Sequence, residues 1–268
     1  MPEGPEVKRI GEGLARAISG KTITKVEILS GRYSKKAPTG WKDLQSALPL
    51  KVVGAGVHGK FCYWLCDNEI FIYSTLGMSG SWNRKAKKHA RLKFSFSDNT
   101  EVHYNDPRNF GTIKVVLGKH TLIKKLKSLG PDMLAEDVTD QKFIERLRKK
   151  PTWGITKALM DQSVVAGVGN YIKADSLWLA KISPHKTVAD LSDGDLAVLN
   201  RSIKKVIRES YESGGATIKS YSGFDEEDGE YGRRFLVYGQ ESDPDGNEVI
   251  REETDDKRTT HWCPEVQK

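Results

Sequence analysis

The hydrophobic rhythm of this 268-residue chain changes at Gly130-Pro131, and the two sides of that point call for different architectures. Up to Leu117 the apolar residues follow a strand period. Leu92, Phe94 and Phe96 alternate, and Phe61 to Cys66 is apolar on both faces, as a central strand is. Before the strands, Val7, Ile10, Leu14 and Ile18 recur at helical spacing and predict a helix from about Pro5 to Ser19, ended by Gly20. Beyond Gly130-Pro131 the period is helical. Ile155 to Gln162 and Asn170 to Ala180 read as short helices joined by Ser163 to Gly169. A longer helix carries Leu196, Leu199, Ile203, Val206 and Tyr211 on one face, started by Ser192 with Asp195 and stopped by Gly214-Gly215. Phe235–Tyr238, Glu248–Glu253 and residues 258–262 are expected as strands, the first two around a turn at Asp243–Asn247. The acidic stretch Ser222–Gly232 is expected as a mobile loop. The fold class is therefore α+β in two domains: an N-terminal β-sandwich flanked by helices over 1–130, a linker over 131–150, and a helical C-terminal domain over 151–268.

Composition narrows the function classes. Net charge is +7, and it is uneven: residues 1–135 hold 23 Lys/Arg against 11 Asp/Glu, while residues 136–268 hold 20 against 25. A basic half joined to a mildly acidic half suits a polyanion contacted at chosen places. No apolar run approaches a membrane span, and the first twenty residues are too charged for a signal peptide. Cys62, Cys66 and Cys263 cannot build a disulfide framework, which fits a reducing, intracellular setting.

The opening Met1-Pro2-Glu3-Gly4-Pro5-Glu6 points to chemistry. A small second residue favours removal of Met1, which makes Pro2 a free secondary amine. Such an α-amine titrates near about 8, against about 10 for a lysine, so part of it is unprotonated at neutral pH. It can attack an aldehyde-level carbon and form an iminium. Glu3 follows directly, Glu6 opens the next turn, and Pro5 suits the start of a helix. The segment Val165-Ala166-Gly167-Val168-Gly169-Asn170 offers glycines and then a helix N-terminus, which reads as a phosphate site.

Together these motifs resemble the formamidopyrimidine-DNA glycosylase/endonuclease VIII family of base-excision repair enzymes. The resemblance rests on Pro2 to Glu6, Leu76-Gly77-Met78-Ser79-Gly80, Asp106-Pro107-Arg108-Asn109-Phe110-Gly111, Asp161-Gln162, and Gly169-Asn170-Tyr171. Gly214-Gly215-Ala216-Thr217 and Val237-Tyr238-Gly239 extend it over essentially the whole chain, in order. It implies a catalytic N-terminal sandwich, a DNA-binding C-terminal domain with a helix–two-turn–helix at about 155–180, and a β-hairpin finger at about 235–268. It also implies a bifunctional glycosylase and lyase that flips a damaged base out of double-stranded DNA, with single-stranded or bubble DNA as further forms, and that works as a monomer. Pro2 attacks the sugar, Glu3 exchanges protons with the ring oxygen, and Glu6 either steadies the helix start or shapes the nucleophile's surroundings. Lys60, Asn170 and Arg258 position phosphates, with Tyr238, His89, Arg91 and Lys150 as further DNA contacts. Met78, Arg108 and Phe110 fill the void left by the flipped nucleotide.

One departure stands out. Zinc-bearing relatives hold the finger with four cysteines, whereas here Cys263 stands alone, with Val266 where another thiolate would be. No metal and no cofactor are expected, and the pattern resembles the zincless finger of the endonuclease VIII-like branch, held by strand pairing and by Val249, Ile250 and Trp262. The expected substrates are oxidised pyrimidines and hydantoin or formamidopyrimidine lesions. An 8-oxoguanine-directed enzyme and an inactive damaged-DNA binder are the alternatives.

Overall fold

The computed structural model describes residues 2–216, 224 and 229–268. They form two compact units. One comprises Met1–Pro2, Glu6–Lys127 and Gly214–Gly229; the other comprises Glu3–Pro5, Ser128–Ser213 and Glu230–Lys268.

In the first unit, helix α1 (Gly4–Ile18) buries Val7, Ile10, Leu14, Ala17 and Ile18, the face its spacing predicts. Eight strands follow: β1 (Thr22–Ile28), β2 (Leu50–His58), β3 (Phe61–Cys66), β4 (Ile70–Thr75), β5 (Ser81–Asn83), β6 (Ala90–Phe96), β7 (Glu101–Asn105) and β8 (Thr112–Leu117). Short helices α2 (Arg32–Lys35) and α3 (Trp41–Ser46) lie between β1 and β2, and α4 (Lys119–Lys127) follows β8. The strand order is β5-β7-β6-β1-β2-β3-β4-β8, antiparallel throughout. Strands β1 and β2 share only the pairs Thr22↔Lys51 and Ile23↔Leu50, so the sheet folds at that seam into two layers of four strands. Trp64 of β3 faces Trp82 of β5 at 5.0 Å and Phe94 of β6 at 4.9 Å, which closes the layers into a sandwich.

The second unit is helical. Helices α5 (Asp140–Arg148), α6 (Ile155–Met160), α7 (Asn170–Leu179) and α8 (Asp193–Glu212) precede a hairpin of β9 (Ile250–Glu253) and β10 (Thr259–Trp262). Ser192 and Asp195 form both halves of a capping box at α8, and Gly214 and Gly215 end it at φ +89° and +87°.

Two expectations need correcting. The 131–150 stretch is not a bare linker, because it holds α5. Thr139 caps that helix, Phe143 and Leu147 are buried one turn apart, and Asn200 of α8 donates to Val138 O and Asp140 Oδ1. Phe235–Tyr238 is not a strand: the N–H groups of Leu236, Val237 and Tyr238 all donate to the buried Asp175 carboxylate, which leaves none of them for a ladder. The turn expected at Asp243–Asn247 is present, closed by the Ser242↔Glu248 bridge and by Asp243 Oδ1, which accepts from Asp245 N and Asn247 N, but the two-stranded hairpin itself turns at Thr254–Arg258. The mobile loop expected at Ser222–Gly232 lies largely outside the described residues. Among the described residues no helix is long and apolar enough to cross a membrane.

Burial pushes Asp175 up to about 6, while the backbone N–H bonds from Val237, Tyr238 and Leu236 pull it down. A carboxyl whose folded pKa exceeds its unfolded value near 3.8 contributes stability below that value and loses it as pH rises through the folded one. Asp175→Asn is therefore expected to gain on the parent by about 3 kcal/mol between about pH 4 and pH 7, read by urea denaturation at both pH values. A difference that does not move with pH contradicts this assignment.

Candidate active site and nucleic-acid contacts

The N-terminal segment of the chain is built into the second unit. Glu3 is 2% exposed, and its two carboxylate oxygens accept from Tyr171 N (3.0 Å) and Ile172 N (3.3 Å), in the first turn of α7. Those N–H groups have no intrahelical partner, and they stand at the positive end of the helix dipole. Gly4 N donates to Gly167 O at 2.8 Å. Gly167, at φ +99°, is held in turn by Gln162, whose side chain accepts from Gly167 N and donates to Val168 O. A Cβ on Gly169 would overlap the Glu3 carboxyl group, and one on Gly4 would lie 3.0 Å from Gly167 Cα. Gly169 thus admits the chain's own carboxylate and Gly167 the backbone of Gly4, so the contacts at these two glycines come from the N-terminal segment. Pro2, buried, directly precedes Glu3.

Asn170 opens α7, and its Nδ2 donates to Thr259 O at 2.8 Å, which ties the helix to β10. Arg258 is exposed just before β10, and its guanidinium makes no ion pair with any other described residue. Tyr238 packs edge-on against His261 of β10 at 4.9 Å; burial pushes its pKa up, and the charge of Glu3 adds to the shift. Lys150 places its ammonium 4.5 Å from the Trp153 ring centre, and Lys157 reaches the same ring at 4.7 Å.

The other candidates lie in the first unit. Lys60 occupies the two-residue turn that joins β2 to β3, after Gly59 at φ +57°. Met78 and the Arg108–Phe110 pair stand on two loops that are stitched together. Buried Asp106 accepts from Ser79 Oγ (3.2 Å) and Gly111 N (2.8 Å), and Arg108 N donates to Ser79 Oγ (3.2 Å). Gly77 lies so close that a Cβ there would meet Gly111 N at 2.6 Å. Phe110 is 56% exposed with the Arg108 guanidinium 5.0 Å from its ring centre, so it is not a core residue. Arg91 proves to be a buried brace rather than a DNA contact. Its Nε donates to Asp106 O, Nη2 to Pro107 O and Nη1 to Ser30 Oγ. His89, half-buried, accepts from Asp106 N through its backbone carbonyl. Glu6 is 1% exposed and accepts from Ala216 N at 2.8 Å, closing on the glycines after α8.

Two features escaped the sequence reading. Lys173 of α7 is fully buried against Asp256 at 2.7 Å, and Asp255 bonds Gly154 N and Thr156 Oγ1 at the start of α6. Both aspartates lie in the hairpin turn, far from their partners in sequence. The finger does not suit a structural zinc. Cys263 is its lone thiol and is fully buried, and among the described residues no group of three or more His, Cys, Asp or Glu is arranged to hold a metal ion. Packing holds the finger instead: Val249 is buried with Ala174 and Val237, whereas Ile250, expected to help, is exposed.

Comparisons with known proteins agree with this geometry. Models of the formamidopyrimidine-DNA glycosylase N-terminal domain, H2TH domain and C-terminal domain match residues 1–113, 129–222 and 225–268. The chain is 32% identical over 277 residues to the formamidopyrimidine-DNA glycosylase of Oceanobacillus iheyensis, covering 100% of this chain and 98% of that protein. It belongs to the formamidopyrimidine-DNA glycosylase family. As such it is a DNA glycosylase of base-excision repair. Among solved structures, it resembles a Lactococcus lactis FPG variant in complex with Fapy-dG containing DNA at a TM-score of 0.88 and 30% identity, with both chains covered in full. MutM in complex with carbocyclic 8-oxo-G containing DNA matches at the same TM-score, identity and coverage.

For this glycosylase the Glu3 seat yields a direct expectation. Gly169→Ala displaces the carboxylate from α7, and a misplacement of about 1 Å at such a site is worth on the order of 100-fold in rate. Single-turnover base excision should fall by that order while the far-ultraviolet circular dichroism stays that of the parent. A folded variant excising at the parental rate would show that Glu3 needs no such seat.

Proposed function

We propose that the enzyme acts on damaged double-stranded DNA as a bifunctional glycosylase and lyase, with Pro2, freed of Met1, as its nucleophile. The observation that supports this most is the anchoring of Glu3 and Gly4, which fixes the chain directly after the amine. The Pro2 nitrogen bonds to the sugar C1′ as the glycosidic bond breaks, and the damaged base leaves with that electron pair. Glu3 supplies a proton to the ring oxygen, the C1′–O4′ bond opens, and an iminium remains on Pro2. The iminium acidifies the C2′ hydrogen; loss of that proton expels the 3′ phosphate, and a second elimination expels the 5′ phosphate. Lys60, Asn170 and Arg258 hold phosphates, while Met78, Arg108 and Phe110 fill the vacated stack. Residues 1–130 then serve catalysis and 151–268 DNA binding, and an enzyme with this substrate works inside the cell.

The lesion preference we infer is for oxidised pyrimidines and hydantoin or formamidopyrimidine lesions over 8-oxoguanine. Residues 222–232 contain five carboxylates and three glycines. Ordering such a segment over a flipped base costs about 1–2 kcal/mol per residue in backbone entropy, and its charges oppose the phosphates. Likeness to the FPG bound to Fapy-dG DNA supports the formamidopyrimidine part. Likeness to MutM on 8-oxo-G DNA favours the second reading, a purine-directed enzyme.

Two measurements separate these statements. Glu3→Gln should slow base excision by at least about 100-fold, as loss of an acid–base group does, while keeping lyase activity on preformed abasic sites; equal loss of both activities counts against the role of Glu3. Single-turnover rates on duplexes carrying thymine glycol, 5-hydroxyuracil, a hydantoin, a formamidopyrimidine and 8-oxoguanine should be lowest for the last. A highest rate on 8-oxoguanine opposite cytosine selects the second reading.

A further inference from the structure

We propose that the buried Lys173–Asp256 ion pair, together with Asp255, is the positioning device for Arg258, and that it takes the place of a metal in holding the finger's turn. Lys173 Nζ meets Asp256 Oδ2 at 2.7 Å with side-chain exposures of 0% and 3%. The other Asp256 oxygen is not idle: Oδ1 accepts from Thr254 Oγ1 (2.7 Å) and from the backbone N–H of Arg258 itself (3.2 Å). One carboxylate thus links the core of α7 to the residue that bears the exposed guanidinium. Its neighbour Asp255 reaches the other way. Oδ2 accepts from Gly154 N (3.1 Å) and Oδ1 from Thr156 Oγ1 (2.8 Å), so the turn is fastened to α6 as well. A Cβ on Gly154 would collide with that carboxylate, which shows how closely the turn is seated. Thr260, next but one after Arg258, shares a 2.8 Å hydroxyl bond with Thr254 across the turn.

Pairing a fully buried lysine to a turn aspartate is a costly way to hold a loop, since both charges leave water. It has a geometric return. Arg258 must present a long, flexible side chain to one phosphate, and its backbone is the only part the protein can fix. The two aspartates fix it from two helices, one of which, α7, also seats Glu3. The acid–base group and the phosphate-binding arginine are therefore referred to the same helix.

The inference rests on the reading of Arg258 as a phosphate contact, and the test keeps the two apart. Binding to a duplex with a tetrahydrofuran abasic analogue is followed by fluorescence anisotropy over a range of salt concentrations. Arg258→Ala should weaken binding by about tenfold or more and reduce the salt slope by about one. Lys173→Met combined with Asp256→Asn, which orphans no buried charge, should reproduce most of the loss and the reduced slope. Added to Arg258→Ala, the pair should do nothing further. Asp255→Asn, which keeps an acceptor for Thr156 Oγ1 while weakening the fastening to α6, should also act only when Arg258 is present. Effects that simply add to that of Arg258→Ala overturn the positioning role, as does an unchanged slope in the paired variant. If Arg258→Ala itself is silent, the phosphate reading fails and this proposal fails with it.

Discussion

The Glu3 carboxylate accepts from two free N–H groups in the first turn of α7, and the close approaches around it follow from that contact. A helix start must find acceptors for donors it cannot satisfy internally, and here a residue from the far end of the chain provides them. The approach requires a missing side chain at Gly169, and the backbone bond from Gly4 requires the left-handed bend at Gly167. Gln162 sets that bend by accepting from Gly167 N. These contacts converge on one result: the chain immediately after Pro2 is fastened to α7 and to the turn before it. Such anchoring opposes the fraying to which chain ends are prone, as the nucleophile proposed at Pro2 requires.

The loops of the first unit show the same economy. A single buried carboxylate, Asp106, binds the loop of Met78 to the loop of Arg108 and Phe110, and Arg91 braces it from behind. An exposed aromatic ring under a guanidinium has little to gain from water and much to gain from a stacked base.

Much of the fold was legible because it depends on local patterns. The α1 stripe of Val7, Ile10 and Leu14, the alternation of Leu92, Phe94 and Phe96, and the Ser192–Asp195 capping box each declare themselves within a few residues. What the sequence reading missed is non-local. Nothing near Phe235 announces that Asp175, some sixty residues earlier, takes the N–H groups a strand would need. The Lys173–Asp256 pair spans 83 residues and looks like two ordinary surface charges. Nothing near Gly167 and Gly169 announces that Gly4 and the Glu3 carboxylate, from the far end of the chain, are what approach them. Arg91 sat in a run of cations that suggested solvent or DNA, and only the fold reveals its three internal partners.

The central question for this enzyme is whether the residue beside Glu3, Pro2, performs the attack. Enzyme mixed with lesion-bearing duplex is treated with borohydride during turnover, and the crosslinked protein is digested and mapped by mass spectrometry. A reduced adduct on the secondary amine of Pro2, in a peptide lacking Met1, is the expected result. An adduct on a lysine side chain, Lys60 or any other, would contradict it.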